Sequence, residues 1–378
     1  MNFLPSGKSR IIIGSVALYA VSTGVSFFVF SLFLKTATIS VNTPFGSLTD
    51  VTSNHEEGVK DQSCPLNGAM YTKTRKDLWE GRRPLGVMVE NHVDARPTLG
   101  ISRADVVYEA IAESGITRFL ALYLCQDAGD IAPVRSARTY YIDWLSEYDA
   151  AYAHVGGANR PGPANALGQI RDYGIKDMDQ FGLGFPTYWR GTDKLAPHNV
   201  HSTTKKLWEA AEERGFGPKN ENGKRWDENF TQWKFKDDAP LDKRGDQGKI
   251  TVPFRPNAPD YAVIWTYDKE ANVYRRSHGD TPQMDNITDP AEQLSAKTIV
   301  VQFAQERFLN DEESHLLYTT TGSGNALIFM DGTVIKGKWN KASRTARTKF
   351  TDSKGKEVEL NRGQIWIQTT PATNSVEY

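Results

Sequence analysis

The least polar stretch of the chain comes first. From Ile11 to Leu34 run 24 consecutive residues without a charge, IIIGSVALYAVSTGVSFFVFSLFL. At about 1.5 Å of rise per residue, such a helix spans a hydrocarbon core of roughly 30 Å. Lys8 and Arg10 precede it and Lys35 follows. Counting the terminal amine, the positive excess lies on the N-terminal side, which predicts a cytoplasmic N-terminus and an external remainder. Residues 1–10 then form a cytoplasmic tail and 11–34 a single transmembrane anchor. The rival is a cleaved signal peptide, whose apolar region usually runs about 7–15 residues and ends at a small-residue site. This run is longer, and KTATISVNTPFG after it offers only a poor match at Ala37. No cysteine follows closely, so a lipid-bearing anchor is not expected.

Residues 35–77 have no sustained apolar period and read as a stalk. Beyond them the pattern alternates. PLGVMVENH is an apolar strand ending in polar residues, and ITRFLALYLC is a buried strand. Between them, SRADVVYEAIAESG reads as a short amphipathic helix with Ser102 at its N-cap and Gly115 after its end. TYYIDWLSEY, PANALGQIRDYG and STTKKLWEAAEERG are further helices, and DAAYAHVGG is a strand running into a glycine turn. This alternation predicts an α/β domain with a mixed sheet over residues 78–217.

Residues 218–260 are rich in Lys, Asp, Asn, Gly and Pro and read as a linker or surface excursion with some strand in FTQWKFK. Residues 261–378 contain many short β-branched and aromatic runs separated by turn signals such as MDGT and SKGK. They predict a β-rich C-terminal domain. The expected fold class is α+β or α/β, preceded by one transmembrane helix.

Composition adds constraints. The chain has 378 residues, of which 39% are hydrophobic, enough for a sizeable core. Its formal net charge of −1 supplies no global field for a polyanion, so no nucleic-acid partner is expected. The two cysteines are Cys64 and Cys125. Outside the cytoplasm they can form one disulfide; the alternative is a buried free thiol at Cys125 and a free Cys64.

Candidate chemistry lies mostly at strand ends of the first domain. One cluster is Asn91, His92, Asp94 and Arg96; another is Glu109 and Glu113, four apart, followed by Thr117 and Arg118. A third holds Arg135 and Arg138 around Ser136, then Asp143. His154 precedes a Gly-Gly turn, and the last cluster is Trp189, Arg190, His198, Asn199 and His201. Ligands usually bind at the strand ends of open α/β sheets. Arg96, Arg118, Arg135, Arg138, His154, Arg190, His198 and Asn199 are the candidates for a phosphate or carboxylate site, because guanidinium forks match those oxygens. Glu109, Glu113 and Asp143 are the supporting acids. Structural ion pairing is the competing explanation: Glu109 or Glu113 with Arg118, and Asp143 with Arg138. The histidines lack H-E-x-x-H or H-x-H spacing, so no metal site is expected. No dinucleotide fingerprint or P-loop occurs, so no cofactor is identified, and no G-x-S-x-G elbow surrounds Ser136.

The strings CPLNG, RPLGVMVENHVDARPTLGISRADVVYEAIAESGITRFLALY, PVRSARTYYIDW, YAHVGG and APHNVHSTTKKL resemble the YerB family of bacterial lipoproteins. The likeness continues through VIWTYD, YRRSHG, TIVVQF, GSGNALIFMDGTVIKGKWNK and GQIWIQTTP, covering residues 64 to 371. It implies an N-terminal and a C-terminal domain of unknown function on the outer face of the cytoplasmic membrane. The chain departs from it in lacking a lipid-bearing cysteine. A fainter likeness joins RFLALYL, PVRSARTYYI and DAAYAHVGG to the LytR-CpsA-Psr cell-wall transferases. It implies Arg118, Arg135 and Arg138 on a pyrophosphate, with Asp105 or Asp143 near a divalent cation.

The resulting expectation is a single-pass membrane protein with its bulk outside, binding or assembling an anionic cell-envelope component. Two alternatives stand beside it: a metal-dependent phosphotransferase acting on lipid-linked polymer, and a scaffold for a protein partner. The sequence does not decide whether the chain is an enzyme.

Overall fold

The computed structural model describes residues 58–378 apart from 256. The tail, the apolar run 11–34 and the first part of the stalk lie outside the described residues. Among the described residues no helix is long and apolar enough to cross a membrane.

Numbering strands of at least four residues in chain order, the first half supplies β1 (Leu85–Glu90), β2 (Val106–Glu113), β3 (Ile116–Tyr123), β4 (Ala151–His154) and β5 (Lys176–Asp179). The second half supplies β6 (Lys249–Val252), β7 (Val263–Asp268), β8 (Val273–His278), β9 (Thr298–Ala304), β10 (Gly322–Met330), β11 (Thr333–Lys341), β12 (Lys349–Asp352) and β13 (Ile365–Pro371). The longer helices are α1 (Lys73–Glu80), α2 (Thr139–Leu145), α3 (Ala166–Asp172) and α4 (Thr204–Glu213).

One mixed ten-stranded sheet runs through both halves in the order β12-β11-β10-β9-β13-β2-β3-β1-β4-β5. Its halves meet where β13 pairs in parallel with β2, Ile365 opposite Val106. Strands β6, β7 and β8 form a smaller antiparallel sheet. The central strands are buried on both faces, as their near-continuous apolar sequences require. One face packs Met88, Tyr108, Leu120 and Leu122 against Tyr141, Trp144 and Leu145 of α2 and Ile170 of α3. The other packs Val87, Val107, Ala121 and Trp366 against Leu207 of α4 and Val263, Trp265 and Tyr274 of the smaller sheet. A large side chain so buried contributes roughly 1.5–3 kcal/mol by leaving water.

The SRADVVYEAIAESG helix is corrected: residues 106–113 are strand β2, and Ser102 lies in a one-turn 3-10 segment, Ile101–Arg103. A short apolar run reads equally as helix or strand by periodicity, and burial between two layers decides for the strand. Local signals elsewhere correspond to observed elements. Thr203 caps α4, its side chain accepting from Lys206 N at 3.0 Å, and Gly215 just beyond takes φ +74°. The later part of the segment read as a stalk is folded onto the body. Cys64 and Leu66 are buried, and Cys64 is disulfide-bonded to Cys125. The excursion 218–260 is anchored by buried Trp226 and Trp233, with the Arg347 guanidinium 3.5 Å from the Trp233 ring.

Candidate functional site

Strand alternation creates two polar clusters at one end of the central sheet. Glu90 ends β1 opposite Arg118 of β3, and Asn91, one residue on, points to the opposite face. A bulge in β2 between Ile111 and Glu113 does the same for the two glutamates. Glu109 joins the aromatic layer of the smaller sheet, whereas Glu113 faces the start of α2. The i,i+4 helical face expected for this pair does not exist.

On the α2 side, Glu113 takes Arg118 Nη2 at 2.9 Å and also the guanidinium of Arg138. Burial alone would push its carboxyl up, but these two cations outweigh burial and hold it at about 2. Arg118 also donates to Ser136 O at 2.9 Å, and the Tyr141 hydroxyl bonds Arg118 O at 2.6 Å. Beside this group, Glu90 receives Arg135 Nε at 3.0 Å and His198 Nδ1 at 2.9 Å. The His198 ring stacks on His92, with centroids 4.9 Å apart and planes 17° from parallel. Arg118, Arg135, Arg138, Glu113 and His198 therefore share one neighbourhood, three guanidinium groups against two carboxylates. Among the described residues, the Nε atoms of Arg118, Arg135 and Arg138 are all buried without a hydrogen-bond acceptor. For Arg135 the Glu90 contact at 3.0 Å is an ion pair.

On the other face the cluster is sealed. Glu109 binds Arg276 Nη2 at 2.8 Å, Thr117 Oγ1 at 2.8 Å, Gln368 Nε2 at 2.9 Å and Trp366 Nε1 at 3.1 Å. Asn91 donates to Thr117 Oγ1 at 2.7 Å and accepts from Gln283 and from Arg96. Arg96 links this network to a cleft of about 560 Å³. Burial, then the like charge of Arg276, pulls its pKa down to about 10, and among the described residues no carboxylate pairs with it. The cleft is also lined by Asp94, Asp130, Trp189, Asp193, Lys194, His201 and Asn286. His201 lies between Asp130 and Asp193, each at 3.0 Å; the hydrogen bond it donates to Asp130 leads in raising its pKa. A depression of about 420 Å³ over residues 222–228 is lined by that one turn and gathers nothing distant.

The other sequence candidates lie elsewhere. His154 is buried, its ring between Asp177 (2.9 Å) and Gly156 O (2.8 Å). Arg190 donates to Asn199 Oδ1 at 2.8 Å, closing a hairpin. Asp143 accepts from Thr320 rather than pairing with Arg138. Asp105 accepts the backbone N–H groups of Leu124 and Cys125 beside the disulfide. Neither of these two acids joins the arginines, so the geometry lends the transferase likeness no support. Sequence reasoning missed Glu90, Asp130, Asp193 and Arg276. A charge closing a wholly apolar run was the available signal for Glu90; the others carry no local signal.

Comparison with known proteins fits this architecture. Residues 71–217 match the N-terminal domain of the family described as "Protein of unknown function (DUF3048)", and residues 250–367 match its C-terminal domain. The chain belongs to this family. As a DUF3048 protein it is 29% identical, over 313 residues, to the "Putative lipoprotein YerB" of Bacillus subtilis (strain 168), covering 82% of this chain and 87% of that protein. The crystal structure of YerB from Bacillus subtilis aligns with a TM-score of 0.69 at 27% identity, over 84% of this chain and 100% of the other. The YerB kinship read from the sequence strings therefore holds.

Proposed function

We propose that this DUF3048 protein is held at the cell membrane by residues 11–34 with its bulk outside, and that it binds an anionic envelope component through Arg118, Arg135 and Arg138. The observation that carries the reading is a cluster with one guanidinium in excess of its carboxylates in which, among the described residues, the buried Nε–H groups of Arg118 and Arg138 meet no acceptor and Arg135 Nε meets only its ion pair with Glu90. Phosphate or carboxylate oxygens would satisfy those donors and that charge. For location, the support is the 24-residue uncharged run with its positive N-terminal flank, the Cys64–Cys125 disulfide suited to an oxidising compartment, and a relative named as a lipoprotein.

Calorimetric titration of the full chain in detergent with inorganic pyrophosphate tests the binding. Binding that weakens with salt and drops at least tenfold in Arg135→Gln is the expected result. No heat at low salt, or an unchanged affinity in that variant, removes the anion site. Reporter fusions placed after Leu34 test the location and must be active outside the cytoplasm.

A further inference from the structure

His92 and Asp94 come from the turn after β1, and His198 comes from a hairpin more than a hundred residues later. We infer that these three side chains form a site for a divalent transition-metal ion at the rim of the cleft. One donor atom from each lies within 4.8 Å of the others. Imidazole and carboxylate ligands suit zinc and its first-row neighbours, whereas calcium and magnesium favour sets built from oxygen.

A second, independent feature is the way the site is backed. Glu90 Oε2 lies 2.9 Å from Nδ1 of His198, so the carboxylate takes the Nδ1–H and leaves the Nε2 lone pair for a ligand. A carboxylate behind the non-coordinating nitrogen is the usual second layer of a histidine metal site. Glu90 is itself fixed, only 5% exposed and backed by Arg135 at 3.0 Å. Asp94 N–H donates to His92 Nδ1 at 3.2 Å and the ring stacks on His198, so ligation by His92 requires that this bond open and the ring leave its stack. Asp94, 71% exposed, is free to swing.

Zinc ligands at about 2.0–2.1 Å in a tetrahedron stand about 3.3 Å apart, so donor atoms within 4.8 Å close around the ion by up to about 1.5 Å. Three protein ligands leave a fourth position for water or a ligand group. Asp94 and Arg96 both line the cleft, so an anion held there meets the ion and the guanidinium together. Spacing along the chain conceals the site, because its two arms are brought together only by the fold. The inference shares Arg135 with the proposed anion cluster only as the support of Glu90, and needs no anion bound at Arg118, Arg135 and Arg138.

Untagged full-length protein in detergent, stripped with a chelator and titrated with Co²⁺, provides the test. One equivalent should bind with visible d–d absorption and be displaced by Zn²⁺. His198→Gln and Asp94→Asn should each weaken binding at least tenfold, and Glu90→Gln by about 10–100-fold through the lost backing. His315→Gln, on a separate surface among Asp311 and Glu313, should bind as the parent does. Thermal melts establish that each variant is folded. No cobalt spectrum from folded parent protein overturns the site, as does parental affinity in both His198→Gln and Asp94→Asn.

Discussion

Glu109 and Arg276, 167 residues apart, form a 2.8 Å ion pair with neither side chain exposed to solvent. The Arg276 guanidinium lies 4.8 Å from the Trp366 ring, 5.3 Å from Trp265 and 5.5 Å from Phe119. The pair thus ties β2 of the first half to β8 of the second inside an aromatic box, where burial lowers the Arg276 pKa.

Removing one partner strands the other charge in that box. Glu109→Gln should cost about 3–5 kcal/mol in urea unfolding. Arg276→Met should cost less, since Thr117, Trp366 and Gln368 still donate to the glutamate. The double variant should lose clearly less than the sum of the two. Additive losses would mean that the pair is not coupled.

The Cys64–Cys125 bond joins residues 61 apart and holds the segment before α1 against the body. Replacing both cysteines by serine should lower unfolding stability by about 2–4 kcal/mol. Reduction of the parent protein should lower its melting temperature similarly, and reductant should leave the double variant unchanged.

Beside that bond, burial pushes the Asp105 carboxyl up to about 7 against backbone N–H bonds that oppose the shift. The folded state then holds a proton that the unfolded state releases near pH 4. Stability contributed by this group is present below about pH 4 and is lost as pH rises to about 7, by up to roughly 4 kcal/mol. Asp105→Asn keeps an acceptor for Leu124 and Cys125 N–H. It should flatten stability across that window and exceed the parent protein above pH 7.

Glu113 has the opposite sign. Its carboxyl is held at about 2, so its pairing with Arg118 and Arg138 stabilises above about pH 4.5 and fades as pH falls toward 2. In Arg138→Gln the Glu113 carboxyl, followed by NMR, should titrate at higher pH. An unmoved midpoint would show that Arg138 does not carry the effect.

Much of the candidate site was legible in part. Charged groups clustered after apolar runs mark Arg118, Arg135, Arg138, Glu113 and His198 in the sequence, and the fold gathers them. His154, Arg190, Asn199 and Asp143 carried the same residue types, yet each is satisfied by a neighbour elsewhere. Residue type announces what a group can bind, and only position decides whether a partner already occupies it.

The sequence by itself determined the apolar runs of β1, β3 and β9, the capped α4 and the polar strand ends, because these depend on residues within one or two turns of each other. Tertiary structure alone decided that residues 106–113 extend rather than coil, that β13 lies beside β2, and that Glu90 meets both Arg135 and His198. Those outcomes turn on contacts between segments remote along the chain, where burial between layers outweighs local preference and no periodicity records the partner.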